Sequence, residues 1–458
     1  MKIEKKIIRL HEAQEIMQAL GEEFAIVWNP EFVHPTFELC PLARKTKIPM
    51  DILEAIVMDM DGTTTTTEEL CLHSLEYMIR RISGKFDKSE WYGLDKIQDY
   101  PYVIGNSTTK HVEHLITRYS NFLNIDLFRK EFIKAAIWTI VIGKDEGRKR
   151  EVINNLKVFK LTELLEKIKL IDSKISKEEY IKISNEFAEQ YYDKFLLNLF
   201  NDYIRVAIDI YYQRYHEILE DIKAGDIEYL RKQFLDDPNK HLIEPMPGID
   251  VYLALVKGWL DEQFVDFYVD YLIEVYRHKT KEIKLNYSKD VMKNNLQKQI
   301  KYFNNYPAKL AVVTSSIRYE AEIVLNEVLH VIRQNIENWG VSKGLKEKLI
   351  QNYSKIENVY NAFVTASDAN EIRLKPHRDL YSIALGYLNI PKTNFGNIIG
   401  FEDSESGTTA IRLAGIGVSV ALPFHATENH NFEAATHIIK GGIPEVILNY
   451  NTFLNVGV

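Results

Sequence analysis

The sequence is poor in the features that would place it in several broad classes. It has two cysteines, Cys40 and Cys71, in 458 residues, too few for a disulfide framework and suited to a reducing cytoplasm. It has no run of about 18 apolar residues, so no membrane span is expected. Its first residues, MKIEKKIIRLHEAQEIM, carry charge on both sides of a few apolar positions and lack the apolar core of a secretory signal. A long basic block is also missing and the net charge is -8, which leaves no footprint for nucleic acid. Any anionic ligand must then be held by local positive groups. His111 and His114 have no cysteine or third histidine at a ligand spacing, so a zinc site is not indicated there. What remains, at 46% hydrophobic and 27% charged residues, is an ordinary globular protein long enough for about two or three domains.

The chain is organised around Ala55-Ile-Val-Met-Asp59-Met-Asp61-Gly62-Thr63, an apolar run ending in two carboxylates and a glycine. The run reads as a buried strand. If the extended conformation persists through Met60, alternation turns Asp59 and Asp61 the same way at its carboxyl end. Ligand crevices of open parallel sheets lie at that end. Gly62 permits a turn, and Thr63 offers a hydroxyl to the turn or to a ligand. Two carboxylates this close repel unless a positive group joins them, and hard oxygen donors without Cys or His favour Mg²⁺ over Zn²⁺. Mg²⁺ commonly works with phosphate oxygens, which points to phosphoryl chemistry; a plain turn or a calcium loop is the competing reading of the motif alone.

Residues 1–54 form a preamble. Leu10, Ala13, Ile16, Met17 and Leu20 fall at helical spacing with Gly21 as the stop, and Ala25-Ile-Val-Trp28 reads as a short strand. Pro30, Pro35, Pro41 and Pro49 break any longer element. Residues 70–240 read as helical almost throughout, with Phe128 to Ile142 and a long stretch from Tyr180 to Tyr215 among the clearest cases. The aromatic stripe along these helices is the pattern of helix–helix packing. Lys110, Arg118 and the cluster Lys144, Arg148, Lys149 and Arg150 read as solvated helix faces, with His111 and His114 as structural or surface residues.

Strand character returns late. Pro245-Met-Pro247-Gly248 introduces a helix from Ile249 to Leu260, and helical pattern continues to about Tyr302. Four later runs read as strands: Lys309 to Val313 ending in Thr314-Ser315-Ser316, Ala362 to Asp368, Asn397 to Phe401 ending in Glu402-Asp403-Ser404, and Gly415 to Ala421. Thr436 to Ile439 is a last one. Helices between them, Arg378 to Leu388 and Gly407 to Ala414, give the strand–helix alternation of a parallel sheet covered on both faces. The fold class is therefore α/β, a Rossmann-like doubly wound parallel sheet with a large inserted α-helical domain. Its expected organisation is an N-terminal extension at 1–54 packed on the core, an α/β core at 55–69 and 241–458 with helical insertions near 261–300 and 327–355, and a helical domain at 70–240.

Strand ends then assemble a candidate site. Thr314, with the amides that follow it, can hold phosphate oxygens. Lys375, before Pro376, supplies a point charge suited to phosphate, and Glu402-Asp403 adds acids for a metal. This order of Asp59-Met-Asp61-Gly62-Thr63, then Thr314, then Lys375-Pro376, then Gly400-Phe-Glu402-Asp403-Ser404-Glu-Ser-Gly407 resembles the four motifs of the haloacid dehalogenase-like superfamily. The Glu-Asp-Ser-x-x-Gly form is similar to the branch of beta-phosphoglucomutase and phosphoglycolate phosphatase, which carries a helical cap directly after the first motif. Gly105-Asn-Ser107-Thr108 loosely resembles a loop of that cap.

The resemblance implies roles. Asp59 would be the nucleophile that becomes an aspartyl phosphate, and Asp61 the acid and base. Mg²⁺ would be held by Asp59, the Asp61 backbone carbonyl and Asp403, with Glu402 assisting through water. Thr314, Ser315, Lys375, Gly62 and Thr63 would surround the phosphoryl group. The expected activity is Mg²⁺-dependent hydrolysis of a small phosphorylated metabolite, a phosphoric monoester, by a cytoplasmic enzyme without nucleic-acid or membrane partners. A sugar phosphomutase would keep every motif residue, and a non-catalytic binding protein of the same fold would have no chemical need for both Asp59 and Asp61. A cap closing about the crossings Thr64 to Glu69 and His241 to Pro247 would exclude water.

Overall fold

The structure, a computed structural model, describes residues 7–29, 33–104, 107–234, 240–279, 285–369 and 373–456. Gly105 and Asn106 of the expected loop, and Pro30 of the preamble, lie outside the described residues. The chain divides into two compact units, one of Met1–Thr66 with Ile243–Val458 and one of Thr67–Leu242.

The first unit begins with α1 (Leu10–Leu20), which ends at Gly21 as its apolar spacing predicts. An antiparallel ribbon follows, β1 (Phe24–Trp28) and β2 (Phe37–Pro41), with Ile26 opposite Leu39 and Trp28 opposite Phe37. The strand β2 was not expected among so many prolines. Pro41 lies at its last position, on a ribbon with open edges, where a missing N–H costs little. Period-two alternation turns Ile26, Trp28, Phe37 and Leu39 outward and buries Val27. The chain then lies along the core, with Ala43 N–H donating to the Arg412 carbonyl at 2.9 Å and Thr46 N–H to the Gly417 carbonyl at 3.0 Å. Arg412 is fully buried and returns the contact, donating to the carbonyls of Ala43 (2.8 Å) and Ala434 (3.0 Å) and to the Glu23 carboxylate (2.5 Å). After it comes β3 (Ala55–Asp59), buried at every position.

The second unit is helical: α2 (Glu68–Ser83), α3 (Tyr100–Val103), α4 (Thr108–Arg118), α5 (Ile125–Val141), α6 (Glu146–Val158), α7 (Thr162–Lys169), α8 (Lys177–Tyr191), α9 (Phe200–Ala224) and α10 (Glu228–Phe234). Asn124 caps α5 by accepting from the amides of Asp126 and Leu127, and Gly225 ends α9 in the left-handed conformation. Helix α5 packs on α8 and α9, and α2 on α9. The stretch from Tyr180 to Tyr215 is two helices rather than one. Phe195 is extended between them, and its buried ring sits 5.6 Å from Phe132 and 5.2 Å from Phe159, so core packing overrides helical continuity. Arg148 also departs from expectation. It is buried, pairs with Asp209 at 2.6 Å and lies over the Tyr212 ring at 4.2 Å, instead of facing solvent. His114 and Arg118 converge on buried Asp99 at 3.1 and 2.8 Å, a structural role.

The first unit resumes with α11 (Ile249–Val256), α12 (Val265–Lys279), α13 (Lys289–Asn305), β4 (Lys309–Val313), α14 (Arg318–Glu337), α15 (Lys343–Asn352) and α16 (Ile356–Val359). Then come β5 (Ala362–Val364), α17 (Asp379–Tyr387), β6 (Ile398–Glu402), α18 (Glu405–Leu413), β7 (Val418–Ala421), β8 (His437–Ile438) and α19 (Gly442–Leu448). The helix expected to reach Leu260 stops at Val256, because Gly258 turns the chain with φ +68. The helical pattern through Tyr302 resolves into α12 and α13, and the region near 327 continues α14.

The large sheet has the order β5-β4-β3-β6-β7-β8 with every neighbouring pair parallel. Counting its strands in chain order gives 3-2-1-4-5-6, the Rossmann-like doubly wound arrangement, whose switch point lies between β3 and β6. Ala55 and Val57 face the cluster of Leu380 and Ala384 from α17 and Ala410 and Ile411 from α18. On the other face Phe401 meets Tyr252 of α11 edge-on at 5.7 Å. The connectors on either side of the helical unit lie antiparallel. Thr66 N–H donates to the Glu244 carbonyl (3.0 Å), Glu244 N–H to Thr66 Oγ1 (2.9 Å), and Met246 N–H to the Thr64 carbonyl (2.9 Å).

Two expectations follow. Arg412→Met, which leaves the Ala43 and Ala434 carbonyls without their donor, is expected to destabilise the protein by about 3 kcal/mol in urea unfolding. It should also speed proteolysis in the 43–46 segment. In the helical unit, burial and then the charges of Arg214 and Arg80 hold His73 down at a pKa of about 3. The unfolded chain therefore binds a proton that the native one refuses between roughly pH 6.5 and 3, so this contribution to stability is lost as pH falls through that window. His73→Gln is expected to show a smaller drop in thermal midpoint than the wild type between pH 7 and pH 4.5.

Candidate active site

The site forms at the switch point because four strand ends meet there. Asp59 ends β3, buried between β4 and β6. The strand stops at Asp59, so alternation does not carry through Met60 to Asp61 as the sequence suggested. A tight turn replaces it: Gly62 takes φ +80 and donates to the Thr65 carbonyl at 2.9 Å, and the amides of Thr64 and Thr65 both donate to the Met60 carbonyl at 2.9 Å. The hydroxyl run after the turn satisfies its carbonyls. Thr64 Oγ1 donates to the Asp59 carbonyl (2.6 Å) and Thr65 Oγ1 to that of Met60 (3.2 Å). Thr63 is buried and its hydroxyl donates to Asp403 Oδ1 at 3.4 Å.

Asp61 is held from the end of β4. Its Oδ2 accepts from Thr314 Oγ1 at 2.8 Å and from Ser316 Oγ at 3.2 Å, and Ser316 N–H donates to Thr314 Oγ1 at 2.9 Å. Ser315 follows Thr314 and is half-buried. Lys375 reaches in from the loop between β5 and α17. Its ammonium donates to Asp59 Oδ1 and pairs with Glu402 Oε1 at 2.6 Å, with a side chain 7% exposed. Burial opposes that charge, but Asp59 and Glu402 outweigh it and hold Lys375 above the ordinary lysine range.

Glu402, at the end of β6, is fully engaged by protein. Oε1 accepts from the Tyr381 hydroxyl (2.8 Å) and Lys375, while Oε2 accepts from Ser404 Oγ (3.0 Å) and the amides of Asp403 (3.2 Å) and Ser404 (3.3 Å). Its carboxyl fills the space over Gly407, where a Cβ would lie 1.8 Å from the carboxyl carbon. Neither Tyr381 nor Ser316 nor Gly407 was assigned a role from sequence, although all three stand inside or beside the motifs.

The donor set fits a hard divalent cation. Carboxylate oxygens of Asp59, Glu402 and Asp403, all buried, lie within 4.8 Å of one another. Burial and then Glu402 push the Asp59 carboxyl well above its usual range; Lys375 pulls it down, and Asp403 and Asp61 raise it further. One ammonium does not offset these four acids, so a cation would relieve the cluster. Because Glu402 is saturated by Lys375, Tyr381 and Ser404, Asp59 and Asp403 are the side chains best fitted to direct contact, with Glu402 behind them.

No family model and no curated protein sequence matches this chain. Among solved structures, the chain is similar to CbbY from Rhodobacter sphaeroides in complex with phosphate, with 13% identity, 86% of this chain and 96% of that chain covered, and a TM-score of 0.38. It is also similar to beta-phosphoglucomutase from Clostridium difficile (13% identity, 88% and 96% covered, TM-score 0.34). A further similarity is to a HAD family hydrolase from Deinococcus radiodurans with bound phosphate and sodium (11%, 88% and 99%, TM-score 0.36).

The packing over Gly407 gives a direct check. Gly407→Ala is expected to displace Glu402 and cost about 2–4 kcal/mol in chemical denaturation. Gly344→Ala, where a Cβ would meet nothing within 4 Å, should be neutral or slightly stabilising.

Proposed function

We propose that this chain is a Mg²⁺-dependent phosphatase of the haloacid dehalogenase-like kind, acting on a small phosphoric monoester. The observation that carries the reading is the convergence on Asp59, at the switch point of the sheet, of Lys375, of Thr314 with Asp61, and of Glu402 and Asp403 from the neighbouring strand ends. A nucleophilic carboxylate, a proton-carrying carboxylate, a buried cation and hydroxyl donors are the parts that in-line phosphoryl transfer requires.

In this mechanism a carboxylate oxygen of Asp59 attacks phosphorus, the bond from phosphorus to the ester oxygen breaks, and Asp61 donates its proton to that leaving oxygen. Water then attacks the aspartyl phosphate while Asp61 takes back a proton. The bond from phosphorus to Asp59 breaks, inorganic phosphate leaves, and both acids return to their starting states. Lys375 holds phosphoryl oxygens and offsets the carboxylate charge, with Glu402 fixing its position. Thr314 binds a phosphoryl oxygen once its hydroxyl leaves Asp61. When bound at Asp59 and Asp403, Mg²⁺ supplies charge neutralisation for the incoming phosphoryl group.

The test is phosphate release from a panel of phosphorylated metabolites, with and without Mg²⁺. Wild type is expected to release phosphate only with Mg²⁺, and Asp59→Asn to lose at least about 10³-fold in rate. Activity retained in Asp59→Asn would refute the mechanism. Isomerised sugar phosphate without net phosphate release would replace the phosphatase by a mutase.

A further inference from the structure

The ribbon that precedes the first core strand reaches the loop carrying Lys375. Alternation along β2 turns Phe37 and Leu39 outward and Glu38 to the less exposed face. Glu38 Oε2 accepts from Arg373 Nη2 at 3.3 Å, the same nitrogen lies 3.4 Å from His377 Nδ1, and Arg373 Nε lies 3.4 Å from the Asp379 carboxylate. A single guanidinium therefore spans both arms of the turn in which Lys375 sits. The turn is closed by His377 N–H donating to the Leu374 carbonyl at 2.9 Å. Asp379 in turn opens α17, whose Tyr381 holds Glu402.

The chemistry of these partners is consistent. Burial, then the Arg373 charge, lowers the His377 pKa, while Glu38, Asp379 and the Trp28 backbone pull it back. A neutral imidazole can accept from Arg373, leaving Glu38 and Asp379 to balance the guanidinium. Arg373 and Glu38 have side chains 37% and 31% exposed, and a pair so wet contributes little to global stability. Its geometry, however, sets the register of a loop whose buried ammonium must meet two carboxylates at once. Misplacing such a group by about 1 Å is enough to weaken a site strongly.

We propose that Glu38 and Arg373 are positioning residues that fix the Lys375 loop, which makes the N-terminal ribbon a working part of the phosphate site. This rests on the reading of Lys375 as a phosphate-binding group. The experiment uses the full chain, with calorimetric binding of inorganic phosphate in the presence of Mg²⁺ and thermal midpoints for every variant. Glu38→Gln and Arg373→Met are each expected to weaken phosphate binding about fivefold with midpoints within about 2 °C of wild type. Arg373→Lys, which keeps a cation beside both Glu38 and Asp379, should lose less affinity than Arg373→Met. Wild-type affinity in both Glu38→Gln and Arg373→Met would overturn the proposal. So would a loss of affinity that comes with a midpoint lowered by more than about 2 °C, or an Arg373→Lys variant as weak as Arg373→Met. Lys375→Ala separates the two levels of the argument: if it binds phosphate as wild type does, the reading of Lys375 fails and the positioning role falls with it. If it loses phosphate while the Glu38 and Arg373 variants keep it, only the positioning role is refuted.

Discussion

A lysine ammonium sealed between two carboxylates is the interaction on which the rest of the first unit depends. Lys375 is nearly without water, and a buried charge is tolerated only when paired and hydrogen-bonded. Each partner needs its own support. Asp59 is held by the central strand and Glu402 by Tyr381 and Ser404, while Gly407 leaves the volume that the Glu402 carboxyl occupies. The cost of assembling so much like charge in one place is offset by the sheet, which brings the strand ends together irrespective of local repulsion. Strain of this kind is usual where binding energy of a further charged group completes the balance.

Much of this was legible in the chain because parallel strands covered on both faces read as unbroken apolar runs. Ala55 to Asp59 and Ile398 to Glu402 stood out for that reason, and the polar residues that end them stood out by contrast. Of the side chains named from those ends, Asp59, Glu402, Asp403 and Lys375 lie together and Asp61 meets Thr314, and the α/β class followed from strand–helix alternation. What sequence did not carry was long-range pairing. Nothing near Tyr381 announces that its hydroxyl will meet Glu402, nor near Ser316 that it will share Asp61 with Thr314. Arg148 looked like one of four solvated cations and is instead buried against Asp209, a partner distant in sequence. The break between α8 and α9 is explained by the packing of Phe195 together with Asp202, whose carboxylate accepts from the amides of Asn198 and Leu199 where α9 starts.

The preamble illustrates how small residues admit a foreign segment. Gly417 lies beneath Thr46 and Arg44, where a Cβ would come within 2.1 Å of Thr46 Oγ1 and 2.6 Å of the Arg44 carbonyl. Arg412, one helix earlier, fastens the same extension through two acceptors, the Ala43 carbonyl and the Glu23 carboxylate. An extension held by buried polar contacts of this kind belongs to the first unit as firmly as a strand does.

The antiparallel connectors at Thr64–Thr66 and Glu244–Met246 have a consequence for how such a chain can change over time. The helical unit leaves and re-enters its host at two points one hydrogen bond apart. Anything with adjacent ends could be spliced at that port, and the present insert could lengthen or shrink, without disturbing the register of a single core strand. The size of the helical unit is thereby uncoupled from the chemistry at the strand ends, which lets the one drift while the other stays fixed.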